Sequence, residues 1–100
     1  MDPDLSDFMI ADVVEATAGR EKGNWYYVIA ADDEFLYLAN GKDRSLEQPK
    51  RKKRKHAKKV LRSETRVAIK LRAGDKVLSS ELRKDLAYLS REQECNATGG

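Results

Sequence analysis

Apolar positions crowd the first forty residues, then thin out, and their spacing changes as they do. From Met9 to Asn40 the chain is rich in Val, Ile, Tyr, Leu, Phe and Trp, the residue types that favour strands. Met9 to Thr17 predicts one strand, Trp25 to Ala31 a second and Glu34 to Ala39 a third. Gly19-Arg20-Glu21-Lys22-Gly23-Asn24 links the first two, with two glycines able to take positive φ. Asp32-Asp33 is a turn, and Asn40-Gly41 is a turn signal of the hairpin kind. Arg44 to Glu47 predicts a short fourth strand. Pro49 lacks a ladder donor and belongs on an edge or at a strand end.

These strands do not alternate cleanly. Val13 and Val14 are both apolar, and so is the whole of Trp25 to Ala31. Strands of that kind are covered on both faces. One face suits the lining of a small barrel, with Tyr26 inward in register with Val28. The other needs a second cover, and residues 63–92 carry the helical spacing to supply it over Tyr27. Leu82, Leu86 and Leu89 form one apolar stripe, with Ser79 or Ser80 as the cap of a helix starting near Glu81. Thr65 to Ala73 fits a strand through Val67, Ile69 and Leu71, or a helix through Val67, Ala68 and Leu71. The helix is favoured because Gly74-Asp75 then serves as its stop.

Charge changes the picture most. Lys50-Arg51-Lys52-Lys53-Arg54-Lys55 is an unbroken cationic run, continued by His56, Lys58, Lys59 and Arg62 with no acid in the window. The window carries nine positive charges while the chain carries +3, so the remainder sums to −6. A dense cationic strip repels itself unless a polyanion neutralises it. Nucleic acid does so with release of condensed counterions and without sequence reading. In the glycine loop, Arg20, Lys22 and Asn24 can present side chains and backbone N–H groups to phosphate, although Glu21 weakens the local field. Trp25, beside that loop, is the best candidate for stacking on a base. Lys42 and Arg44, on the connection leading into the strip, complete the candidate nucleic-acid-binding set.

Several classes are excluded or disfavoured. One cysteine and one histidine cannot build a disulfide framework, a finger or a zinc-protease site. Lone Cys95 has no neighbour to activate it. No triad and no phosphate-cradling nucleotide loop is present, and Asp32-Asp33-Glu34 reads as a solvated turn, so no enzymatic activity and no cofactor are expected. No signal peptide is visible and no stretch approaches the roughly 20 apolar residues of a membrane span. A cytoplasmic protein with no membrane and no small-molecule partner is the expectation.

The segment from Ala11 to Ile29 resembles a KOW motif: a strand, a glycine-bounded basic loop and a second strand. Asp12, Val14, Gly19, Lys22, Gly23 and Val28 fall where that motif has an acid, an inward aliphatic, a loop glycine, a loop cation, the hallmark glycine and another inward aliphatic. Ala11 stands where glycine is usual, a mild exchange, and Tyr26 where a second-strand glycine is common. Leu36-Tyr37-Leu38-Ala39-Asn40-Gly41, then Leu46-Glu47-Gln48-Pro49-Lys50 and the basic run, resemble a narrower group. These are small bacterial relatives of the KOW-type large-subunit ribosomal proteins of archaea and eukaryotes. The resemblance implies a mainly β fold, an SH3-like barrel of about five strands with a C-terminal helical extension. It also implies binding to structured RNA, commonly ribosomal, in a translation-linked role. The chain then divides into a flexible acidic N-terminus at 1–7, the barrel at 8–62 with its basic segment at 50–62, the helical extension at 63–92 and a disordered tail at 93–100. The alternative is a protein-interaction module docking on ribosomal or transcription proteins.

Overall fold

Five strands pair antiparallel in one sheet, in the order β4-β3-β2-β1-β5, in the computed structural model of the chain. The structure describes residues 8–99, so the expected flexible N-terminus at 1–7 lies outside the described residues. The strands are β1 (Asp12–Ala16), β2 (Trp25–Ala31), β3 (Phe35–Ala39), β4 (Lys50–Lys53) and β5 (Ala57–Arg62). A single 3-10 turn, Arg54–His56, joins the last two. Helices α1 (Arg66–Ala73) and α2 (Ser79–Gly99) follow.

The apolar strands are buried on both faces, as their lack of alternation requires. Val13, Tyr27 and Ala39 face α1 and α2 and pack with Val67, Ala68, Val77, Leu82 and Leu86. Val14, Ala16, Tyr26, Val28, Leu36 and Leu38 form a second cluster on the opposite face. Among the described residues no helix packs on that face, yet all six side chains are buried, with Phe8 and Ala57 packed against them. Register shifts between Val13 and Val14 in the β1–β5 ladder and between Val28 and Ala30 in the β2–β3 ladder interrupt the pairing, and such bulges bend and twist a sheet.

Four expectations need correction. Residues Arg44 to Glu47 form no strand. Asn40 Oδ1 accepts the N–H groups of Lys42, Asp43 and Arg44 at 2.9–3.0 Å, and the Gln48 N–H bonds to Ser45. Local acceptors take the donors that a ladder would have used. The fourth strand is the basic run itself, entered immediately after Pro49. Second, Ser79 and Ser80 lie inside the first turn of α2. The Leu78 N–H is held instead by Glu81 Oε2 at 3.1 Å, one half of a capping box. Third, the Ala11 exchange is not mild: this buried alanine takes φ +73°, the left-handed conformation that costs a non-glycine residue about 1–2 kcal/mol. The backbone of α2 also runs on through residues 93–99, where a disordered tail is the expectation. Glu92, Gln93, Glu94 and Ala97 include good helix formers, and no proline interrupts them.

Residues 65–73 are helical. Thr65 caps α1, its Oγ1 accepting from the Ala68 N–H at 3.3 Å, and Gly74 closes the helix with its N–H on the Leu71 carbonyl. A buried polar knot fastens the helices to the sheet. Tyr27 Oη lies 2.8 Å from Ser63 Oγ and bonds Asp85 Oδ2, which also takes the Thr65 hydroxyl at 2.8 Å. The phenol has one proton, and the carboxylate is the ionic acceptor for it. Burial, then the Asp85 carboxylate, pushes the Tyr27 phenol up to about 12. The unfolded chain ionises this phenol near pH 10.0. Between those values the folded state holds the extra proton, so stability falls as pH rises from 10 to 12. Thermal melts across that range are expected to show this decline, and Tyr27→Phe is expected to remove its share of it. An unchanged profile in the variant would show that the knot does not carry the effect.

Candidate nucleic-acid interface

Lys and Arg are poor strand formers, so β4 exists because β3 offers it a ladder. Phe35 pairs with Lys53, Leu36 with Lys52, Tyr37 with Arg51 and Leu38 with Lys50. Directly opposite residues share a face. Lys50 and Lys52 therefore lie on the side of the buried Leu36 and Leu38, while Arg51 and Lys53 lie on the other. The run that is uniform in sequence is split by the pleat.

The two halves differ electrostatically. Lys50 and Lys52 each stand 3.5 Å from the Glu21 carboxylate, and Lys52 Nζ also donates to the Ala18 carbonyl at 2.9 Å. Partial desolvation pushes the Glu21 carboxyl up, but Lys50, its own backbone N–H and Lys52 together outweigh this and hold it below the usual range. These two lysines are half-buried and anchor the β1–β2 loop to β4. Arg51 and Lys53 are exposed, with the Arg51 guanidinium 4.4 Å above the Phe35 ring. In the 3-10 turn, Arg54 Nε donates to the Asp32 carbonyl at 2.7 Å and Lys55 is exposed. His56 is half-buried and gives its carbonyl to the Thr17 N–H at 2.9 Å.

On β5, Lys59 and Arg62 hold the buried Asp12 carboxylate at 3.2 and 3.3 Å, and the Met9 N–H adds a third bond. That satisfied carboxylate ties β1 to β5. Lys58 is exposed. Its cross-strand neighbour Glu15 turns its carboxylate to the Trp25 indole, which donates from Nε1 at 3.3 Å.

The β1–β2 loop crosses beside β4, and Arg20 and Lys22 stand exposed on it. Gly19 and Gly23 adopt φ +83° and +93°, which a side chain would strain, so the tight path of the loop needs glycine. Arg20, Lys22, Arg51, Lys53, Lys55 and Lys58 are thus exposed and carry no ion pair among the described residues.

No family model matches the chain, and no curated protein does.

The remaining sequence candidates form a separate group. Asn24, Trp25 and Lys42 line a cleft of about 210 Å³ together with Asn40, Asp43, Arg83, Leu86 and Ala87. Trp25 is half-buried, pinned by Glu15 and packed against the helix-side core rather than standing free. Arg44 is exposed, and its carbonyl closes the turn by accepting from the Asn40 and Gly41 N–H groups. Asp32 is a turn residue: its carboxylate accepts the Phe35 and Glu34 N–H groups and the Tyr37 hydroxyl, which hold its pKa low. Arg83 was not legible as a site residue. It stands between Leu82 and Leu86 on a helix read for its apolar stripe, and nothing local marks it. Among the described residues, no helix is long and apolar enough to cross a membrane.

Proposed function

We propose that the chain is a KOW-type RNA-binding module with an SH3-like barrel, contacting the phosphate backbone of structured RNA. One observation carries the proposal: six exposed cations, without ion pairs among the described residues, lie on the β1–β2 loop and the β4–β5 arm, beside lysines already neutralised by Glu21 and Asp12. Acids absorb the inward-facing cations and leave the outward ones available. The strand order β4-β3-β2-β1-β5, with a 3-10 turn joining the two outermost strands, supports the barrel. So does Ala11, whose positive φ fits the place where the KOW pattern has glycine. Structured RNA suits the interface, because duplex RNA is recognised by shape and phosphate spacing. The ribosomal and translation-linked setting is proposed from the KOW resemblance alone. The proposed role is binding, not catalysis.

Titration of the purified chain with a folded RNA hairpin at several salt concentrations tests this. Six phosphate contacts give a slope of log affinity against log salt of roughly −5. Glu21→Gln is expected to strengthen binding and steepen the slope, because it releases Lys50 and Lys52. An absence of affinity even in dilute buffer would end the proposal. A second reading, docking on ribosomal or transcription proteins, has an apolar cleft in its favour. Ile10, Ile29, Leu46, Leu71 and Val77 line about 420 Å³ beside α1. The same salt series separates the two, since apolar docking does not weaken with salt.

A further inference from the structure

We propose that the cleft between Trp25 and Arg83 receives one unpaired nucleotide of the bound RNA, with its base against Trp25 and its phosphate toward Lys42 and Arg83. This rests on the RNA-binding reading above and adds a specificity site that the basic strip does not supply. The cleft of about 210 Å³ falls below the roughly 300–1,000 Å³ of pockets that enclose a drug-sized ligand. It suits a single flat ring system.

Its lining has the mixture that a nucleotide needs. Trp25 gives an aromatic surface whose orientation is fixed by the bond from Nε1 to Glu15, so little ordering cost remains on binding. Lys42 and Arg83 are exposed cations on two different elements, without ion pairs among the described residues. Asp43 offers an acceptor to a base amino group. Three parts of the chain meet here: the end of the β1–β2 loop, the β3–β4 connection and α2. The walls are rigidly held, because Asn40 Oδ1 ties down three N–H groups of the connection and Gly41 sits against the first turn of α2. Asn24 is two residues from Lys22, so the cleft adjoins the exposed loop cations. A paired base keeps its faces stacked inside the helix, whereas a bulged or looped-out base is free to stack on an aromatic side chain.

Trp25 is the only tryptophan in the chain, so intrinsic fluorescence reports on this cleft directly. The test titrates the full chain with two RNA hairpins of equal stem length, one perfectly paired and one carrying a single bulged adenosine. Both are expected to bind. The bulged hairpin is expected to bind about tenfold tighter, within the range of one base–aromatic stack, and it alone should strongly quench Trp25. Arg83→Gln, an exposed helix position, is expected to abolish most of that preference while the paired hairpin binds as before. Equal binding and equal quenching by the two hairpins would overturn the cleft proposal and leave the basic strip intact. So would a preference that survives Arg83→Gln. Failure of both hairpins to bind would remove the RNA-binding reading itself, and the cleft with it.

Discussion

Replacing Arg51, Lys53, Lys55 and Lys58 with glutamine is expected to cut affinity for a folded RNA by roughly 10³-fold near 0.1 M salt and to flatten the salt slope by about 3 to 4. The basis is the pleat. These four side chains are exposed and carry no ion pair among the described residues. Each phosphate they neutralise releases condensed counterion, and each loss removes nearly one unit of slope. The sharper comparison lies within β4. Arg51→Gln with Lys53→Gln removes two charges, and so does Lys50→Gln with Lys52→Gln, from the same four residues. The first pair is expected to flatten the slope by about two. The second is expected to flatten it by less than about one, because Lys50 and Lys52 already face Glu21 at 3.5 Å and are half-buried. Nitrocellulose filter binding or fluorescence anisotropy over a salt series reads both. Equal slopes for the two pairs would mean that the strip acts as undifferentiated charge and that strand alternation plays no part.

Gly41→Ala is expected to be among the most destabilising single substitutions available. A Cβ built there stands 2.1 Å from the Ser79 carbonyl oxygen and 2.8 Å from the Arg83 backbone nitrogen. Both are backbone atoms of α2 and cannot swing aside as a flexible side chain would. The residue also sits at φ +76°, which adds about 1–2 kcal/mol for a residue with a side chain. Overpacking costs a further 1–3 kcal/mol or so, giving a loss of roughly 3 kcal/mol in urea unfolding and a Tm drop on the order of 10–20 °C. The substitution should also loosen the connection that carries Lys42, and with it the cleft beside Trp25. A stability change under about 1 kcal/mol would show that the connection can lift from α2 at little cost.

How much was legible follows from which signals were local. Strand β2 was read to the residue, because its apolar run is bounded by Gly23-Asn24 on one side and Asp32-Asp33 on the other. Residues 65–73 are favoured as helix over strand because Gly74-Asp75 gives a stop and Val67, Ala68 and Leu71 share a face. The opposed roles of Tyr26 and Tyr27 followed from simple alternation along a strand. The fourth strand was misplaced because its own residues argue against it: Lys50 to Lys53 have low strand preference, and only the ladder to Leu36 and Leu38 makes them a strand. The start of α2 was misassigned to a serine cap because the glutamate that reaches back to Leu78 gives no separate signal. Arg83 was invisible as a site residue because the cleft residues outside α2, Asn24, Trp25, Asn40, Lys42 and Asp43, lie forty or more residues away in sequence.

The sequence by itself determined a β-rich domain buried on both faces, a C-terminal helix on the Leu82, Leu86 and Leu89 stripe and a concentrated positive charge at residues 50–62. These properties reside in composition and short-range periodicity, and local sterics and hydrophobic burial act on them directly. Only the tertiary structure decided which cations remain exposed. Pairing with β3 turns alternate lysines toward Glu21, and pairing with β1 brings Lys59 and Arg62 onto the buried Asp12. It also decided that Trp25, Lys42 and Arg83 share one cleft. Both outcomes depend on contacts between distant segments, and no local pattern encodes a contact until the strands have paired and α2 has settled on the sheet.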